Sequence, residues 1–255
     1  MIDWAELTLF LFVTARMSGF VLFNPLLGRS SIPAIFRSGM ILVFSVFVYA
    51  TMDQAVSLPV GYIELAGRMI LELGLGFLLG MAVNFFFFIP QQAGTVVDTQ
   101  MGMTMSQIYD SGSQSNMSVT GVFLNTLMML LFFAGNGHHT LIRIFLTSGQ
   151  VVPFGAAAVG TEVVRAALAL FTECAVLGLK LCMPILVAEV ISQIGMGILM
   201  KVIPQINVFS INIELKVIIG LGMLFILTAP ISEFLLRVEM TMLNSLEELL
   251  ALSVG

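Results

Sequence analysis

Six charged side chains, Arg16, Glu72, Glu173, Lys180, Glu189 and Lys216, stand inside or beside long apolar runs. A charge at the centre of a bilayer costs about 2.5–3.5 kcal/mol on insertion scales. Six of them exclude a bundle bathed wholly in lipid, so these residues pair, line water or face other subunits. Glu72, Glu173, Lys180 and Glu189 are the candidates for buried charge. Glu173 and Lys180 lie seven residues apart, two turns along one helical face, which permits a pair bridged by a third group. The alternative is that each snorkels to a polar boundary.

Reactive chemistry is sparse. His138 and His139 invite a metal, but adjacent helical residues point about 100° apart, and no Cys or carboxylate stands at ligand spacing beside them. Cys174 and Cys182, eight apart in one apolar stretch, would be separated by roughly 12 Å of helical rise, too far to bridge. They read as small buried apolar residues. No phosphate-cradling glycine loop with Lys and Ser/Thr occurs, and pairs such as Gly74-Leu75-Gly76 and Gly195-Met196-Gly197 read as packing positions. No nucleophile has a base at recognisable spacing, so neither an enzyme nor a cofactor is indicated. Met101, Met103 and Met105 alternate in a polar segment. They read either as flexible core filling or as a deformable seal that closes a pore yet yields to varied cargo, and a loop position favours the seal.

The elements that carry these residues follow from composition. Of 255 residues 58% are hydrophobic and only 10% charged, against roughly 25% charged in an ordinary soluble domain. With a mean hydropathy of +1.05, the chain is expected to be an all-α, polytopic membrane protein. Net charge is −5 and the ten Lys and Arg are scattered, which leaves no basic stripe for nucleic acid. Residues 1–6 carry Asp3 and Glu6 but no Lys or Arg, unlike the start of a cleavable signal peptide, so the first apolar segment is expected to stay in the mature protein.

Six stretches approach the roughly 20 residues needed to cross a bilayer. They are residues 7–27, 32–51, 62–89, 119–133 with a possible resumption to 148, 163–199, and 211–236. The third is rich in small residues (Gly67, Gly74, Gly76, Gly80) that let helices approach closely and is expected to end before Pro90. Residues 163–199 are too long for one straight crossing, and Pro184 predicts a kink or a helical hairpin there. The sixth stretch contains Pro230 and leads into an amphipathic tail punctuated by Glu239, Glu247 and Glu248.

Residues 90–120 are polar where their neighbours are not. Gln91, Gln92, Asp98 and Gln100 precede the run Ser106, Gln107, Ile108, Tyr109, Asp110, Ser111, Gly112, Ser113, Gln114, Ser115, Asn116, Met117 and Ser118. Such a run cannot form a packed apolar helix and is expected to be a loop, of the length that usually serves as a gate or lid.

Four local patterns, in order along nearly the whole chain, resemble one family, the FliR/SctT proteins of flagellar and injectisome type III secretion. Arg16 to Gly19, Pro25-Leu26-Leu27-Gly28 and Ile32-Pro33 resemble its first hairpin. Gln92-Ala93-Gly94, Asp98 and Gln100-Met101-Gly102 resemble the entry to its central loop, and Gly135-Asn136-Gly137-His138-His139 its histidine turn. Most specific is Pro204-Gln205-Ile206-Asn207-Val208-Phe209, followed by Lys216. Two departures stand out: Asp110 is followed by Ser111 rather than Pro, and Glu214 precedes Leu215 where the family often has an apolar Pro-Leu pair.

The resemblance implies a single domain over residues 1–255, with helical hairpins like a FliP-like part fused to a FliQ-like part. It implies assembly with FliP-like, FliQ-like and FlhB-like subunits into an export gate of the bacterial inner membrane and flagellar basal body, through which unfolded proteins pass. It also implies a channel plug within residues 106–121, and no cofactor. Two other readings stand beside the flagellar one. One is an injectisome subunit. The other is a small-solute secondary transporter using Glu72, Glu173 and Lys216, for which no inverted repeat is visible.

Overall fold

The computed structural model describes residues 4–29, 32–51, 59, 61–103, 108–110, 115–202 and 208–253. Their order is α1 (Trp4–Phe23), α2 (Ala34–Thr51), α3 (Tyr62–Met101), β1 (Ile108–Asp110), β2 (Ser115–Met117), α4 (Val119–Ala134), α5 (Gly137–Val151), α6 (Thr161–Val202), α7 (Val208–Ile226) and α8 (Thr228–Leu252). The described residues are therefore all-α apart from one hairpin of two three-residue strands. Four helices, α1, α2, α3 and α6, are long and apolar enough to cross a membrane, and six spans result if α4 with α5 and α7 with α8 each count as one. This is a multi-pass membrane protein.

Three boundaries differ from expectation. α3 does not stop before Pro90 but carries it inside a 40-residue helix. A proline deletes one intrahelical hydrogen bond, and packed apolar neighbours hold the rest of the helix together. The polar residues Gln91 to Gln100 are thus helical, with Ala93, Gly94, Val97 and Asp98 turned inward. α6 likewise runs unbroken for 42 residues through Pro184, so no helical hairpin forms there. The residues beside Pro184 are Cys182, Met183, Ile185 and Leu186, none of which favours a turn. At 1.5 Å per residue, α3 and α6 are each about 60 Å long, twice the hydrocarbon thickness. The third difference is in residues 106–118, where the expected loop contains the antiparallel ladder Ile108 with Met117, Tyr109 with Asn116 and Asp110 with Ser115.

The fold divides into two compact units. The first comprises residues 1–86, 136–172 and 239–255, the second residues 87–135 and 173–238. In the first unit Leu9, Phe12, Val13 and Met17 of α1 pack with Val48 of α2 and with Phe154, ringed by Ile41, Phe44, Leu65, Met69 and Leu146. Phe10 meets Tyr49 edge-on, and Phe23 meets Phe77 in the same way. α1 and α3 touch backbone to backbone, because a Cβ on Gly19 would meet Leu73 and Phe77 and one on Gly76 would meet Arg16 and Phe20. α2 contributes little to this core and presents Ile35, Phe36, Leu42, Val43, Val46 and Phe47 outward, a face that requires lipid or another protein.

In the second unit α7 turns into α8. Leu227 N donates to the Met223 carbonyl at 2.8 Å and Ile231 N to the Leu227 carbonyl at 2.9 Å, whereas Pro230 has no N–H for Ile226. The axis bends by 63° there. α8 shows the amphipathic pattern expected of the tail, with Leu235, Val238, Met242, Leu246 and Leu249 buried and Glu247 and Glu248 exposed. Glu239 does not join the exposed set and is buried.

Candidate functional site

The polar segment has a built root, all of it in the second unit. α3 ends in a left-handed turn at Gly102, φ 77°, where Gly102 N donates to the Thr99 carbonyl at 3.2 Å and Met103 N to the Asp98 carbonyl at 2.8 Å. This pair of bonds is the Schellman cap that a glycine after the last helical residue permits. On the far side of the hairpin, Ser118 caps α4 and its Oγ accepts from Gly121 N at 3.0 Å. Asp98 joins the two sides, since its Oδ2 accepts from Thr120 N at 3.1 Å. A carboxylate there satisfies a first-turn donor and favours the positive end of the α4 dipole. Gly94 and Gly121 bring α3 and α4 into backbone contact, because a Cβ on Gly94 would fall on Gly121.

Below this root lies a second glycine contact. A Cβ at Gly220 of α7 would collide with the Met101 side chain and stand 3.1 Å from Glu189 Oε1. Met101 is fully buried at the last turn of α3, so its alternation with Met103 does not place it in a loop; it is core filling. Met103 is half-buried beyond the helix, and Met105 lies outside the described residues. Glu189 is fully buried, and among the described residues neither carboxylate oxygen has a hydrogen-bond partner.

The first unit holds the other polar centre. Arg16 and Glu72, both fully buried, join through Nε and Oε2 at 2.6 Å. The remaining Glu72 oxygen accepts from Gly155 N at 2.7 Å, and Arg16 Nη1 donates to the Val152 carbonyl at 2.9 Å and more weakly to Ser148 Oγ at 3.4 Å. The Phe154 ring covers the guanidinium at 4.2 Å. The pair therefore ties α1, α3, the end of α5 and the segment after it into one knot, the planar arginine supplying several fixed donors at once. Gly155, φ 85°, adopts a backbone that favours glycine, and a Cβ there would press on Phe12.

The other residues singled out by sequence fall as follows. Pro25 sits in the turn after α1, which Asn24 shapes by accepting from Leu26 N at 2.8 Å through its side chain. Gln100 is half-buried in the last turn of α3. His138 and His139 open α5 with their ring centroids 4.1 Å apart, and among the described residues no three His, Cys, Asp or Glu side chains converge as metal ligands. Cys174 and Cys182 are buried and unbridged. Phe209 lies in the first turn of α7, and Lys216 is half-buried one turn before Gly220.

Pro204, Gln205 and Asn207 lie outside the described residues, as do Ser106, Gln107, Ser111, Gly112, Ser113 and Gln114. Ile108, Tyr109 and Asp110 form β1, and Ser115, Asn116 and Met117 form β2. Of the four candidate buried charges, Glu72 and Glu189 are buried. Glu173 and Lys180 are exposed on α6 and form no ion pair with each other. Their helix turns them off the core, and an apolar run alone does not reveal which face a residue occupies.

Ser148, Val152, Gly155 and Gly220 complete these sites and were not singled out by sequence, whereas Thr120 and Gly121 close the segment 106–121. The glycines of the polar segment carried the usable signal, since Gly94 and Gly121 bracket it.

Comparison with known proteins adds the lineage. The chain is 26% identical to the flagellar biosynthetic protein FliR of Bacillus subtilis strain 168, over 82% of this chain and 81% of that protein. It is 24% identical to the protein of that name from Escherichia coli K12, over 84% and 82%. It is 25% identical to the Yop proteins translocation protein T of Yersinia pestis, over 82% and 81%. The profile of "Bacterial export proteins, family 1" matches residues 7–241. With apolar helices, glycine contacts and polar hairpin all inside that match, the chain belongs to the bacterial export proteins, family 1.

Proposed function

We propose that this chain is a core structural subunit of a flagellar type III protein export gate and forms a channel for unfolded flagellar proteins with FliP-like and FliQ-like subunits. An FlhB-like subunit joins them, and the site of assembly is the bacterial inner membrane within the flagellar basal body. The observation that carries the reading is the family match over residues 7–241, together with relatives named for flagellar biosynthesis. Outward-facing apolar side chains along α2 and α6 support it, because they suit enclosure by other subunits. The chain acts as conduit and gate and not as an enzyme.

Within this reading the hairpin after Gly102 is the plug. Its root is fixed by the α3 cap, by Asp98 and by the Gly94–Gly121 contact. An injectisome subunit is the second reading, favoured by the similarity to the Yersinia translocation protein.

The test is deletion of the gene in its own host, followed by measurement of flagellin export and a mild-detergent pull-down of the tagged chain. Loss of export with recovery of FliP-like and FliQ-like proteins is expected. Normal flagella in the deletion strain would remove the flagellar reading, and recovery of the chain alone would remove the assembly.

A further inference from the structure

Three helices of the second unit meet at Gly220 of α7. The Met101 side chain, from the last turn of α3, lies across the position that a Cβ would take there, and Glu189 Oε1 of α6 stands 3.1 Å from the same point. Met101 and Glu189 are fully buried, and among the described residues neither Glu189 oxygen has a hydrogen-bond partner. Gly220 N lies near, but it serves the turn of α7 that ends at the Lys216 carbonyl.

A buried carboxylate needs a proton, a metal ion or a cationic side chain to offset its charge. A metal ion would need several oxygen or nitrogen ligands, and the walls here are a thioether and bare glycine backbone. The cation within reach is Lys216, half-buried one turn before Gly220, and no hydrogen bond joins it to Glu189. Among the described residues the other charges near these elements point elsewhere. Asp98 of α3 is turned to Thr120 N, Glu214 of α7 is exposed, and Lys180 and Lys201 of α6 lie more than about two turns away.

We propose that Glu189 is a proton-binding site that sets how firmly the end of α3 is held. With the proton, the neutral acid lies against Gly220 and Met101 stays packed over it. Without the proton, which passes to water, the carboxylate turns to Lys216 on its flexible four-carbon stem, water follows the charge, and the seat of Met101 loosens. Met101 is the residue before the Gly102 turn, so the effect reaches the bonds from Gly102 N and Met103 N that anchor the hairpin. Asp98 would act in the opposite sense, because its ionised form is the stronger acceptor for Thr120 N. The proposal concerns the chain alone, and only its consequence for gating rests on the plug reading.

Its test is oxidation by hydrogen peroxide, which attacks the thioether directly, on the purified full-length chain in dodecyl maltoside from mildly acidic to mildly alkaline pH. Peptide mass spectrometry reads the sulfoxide at each methionine. Met128, fully buried in the same unit, and Met17, fully buried in the first, are internal references. Met101 oxidation should rise about tenfold against both as pH increases, equivalent to about 1.4 kcal/mol in the opening of its seat. E189Q, whose amide mimics the neutral acid, keeps Met101 slow at every pH, and K216Q, which removes the counter-ion, suppresses the rise over the same range. Protection of Met17 and Met128 shows that each variant is folded, and K216Q, at a half-buried position, carries the test if E189Q fails that check.

A Met101 rate that does not change with pH relative to Met128 would overturn the proposal. So would a rise that persists in E189Q, or in K216Q where E189Q does not fold. A rate that falls toward alkaline pH would overturn it in favour of Asp98.

Discussion

Replacing Arg16 by Met removes one half of a fully buried ion pair and leaves the Glu72 carboxylate with Gly155 N as its hydrogen-bond donor among the described residues. Breaking a buried pair from one side costs about 3–5 kcal/mol, because the surviving charge has lost its compensation. Glu72→Met leaves the guanidinium with the Val152 carbonyl, a long contact to Ser148 and the Phe154 face, so its cost falls in the same range. The double variant R16M/E72M removes both charges and fills similar volume with apolar atoms. What it leaves unmade is the hydrogen bonding of Gly155 N and the Val152 carbonyl, about 1–3 kcal/mol each if they stay buried and unsatisfied.

The double variant should therefore be no worse than either single one, and the coupling between the sites about 3 kcal/mol or more. Equilibrium unfolding of the purified chain in mixed dodecyl maltoside and SDS micelles, followed by circular dichroism at 222 nm, measures all four corners of the cycle. Additivity of the two single losses to within about 0.5 kcal/mol would refute the reasoning, since contacting partners do not behave independently.

Gly94→Leu should separate α3 from α4 and destabilise by about 1–3 kcal/mol, whereas Gly67→Ala, with open space around it, should stabilise the isolated chain by about 0.4–1 kcal/mol; thermal melts of the two rank them. Asp98→Ala should cost about 0.5–2 kcal/mol through loss of the bond to Thr120 N, and faster protease cleavage near residues 102–118 reports it; an unchanged rate would deny Asp98 its role at the root. Glu189→Met should stabilise by about 1–3 kcal/mol, because it exchanges a buried carboxylate that has no hydrogen-bond partner among the described residues for an apolar side chain, and a loss of stability would mean that the nearby Lys216 and Gly220 N compensate it. Shortening residues 106–118 should increase ion leak through the assembled complex, and unchanged conductance would deny this segment its sealing role.

Helix content, membrane class and the small-residue contact at Gly76 were legible in the sequence because hydropathy and residue size are local properties. The helical state of residues 91–101 was not, since Gln91, Gln92 and Gln100 look like loop residues until Ala93, Gly94 and Val97 are seen to form a buried face. Proline misled as a boundary at Pro90 and as a hairpin at Pro184, because α3 and α6 each absorb one lost hydrogen bond and continue as helix. Charge was half legible. Glu72 and Glu189 proved buried, but a one-dimensional pattern could not assign Glu173 and Lys180 to the outer face of α6. The partners of Arg16 were beyond reach, since Glu72 is 56 residues away and Val152 136.

Asp98 and Thr120 are 22 residues apart and joined, so the stretch between them is a lariat tied at its neck. The entropy of closing such a loop grows only logarithmically, by about 0.6 kcal/mol for each doubling of length. Lengthening the lariat is therefore cheap, while altering the knot is not. Insertions in this segment are therefore expected to leave the helices on either side in place. The same economy makes the neighbourhood of residue 112 the place to graft a reporter or an affinity tag, with Gly94, Asp98, Ser118 and Gly121 left as they are.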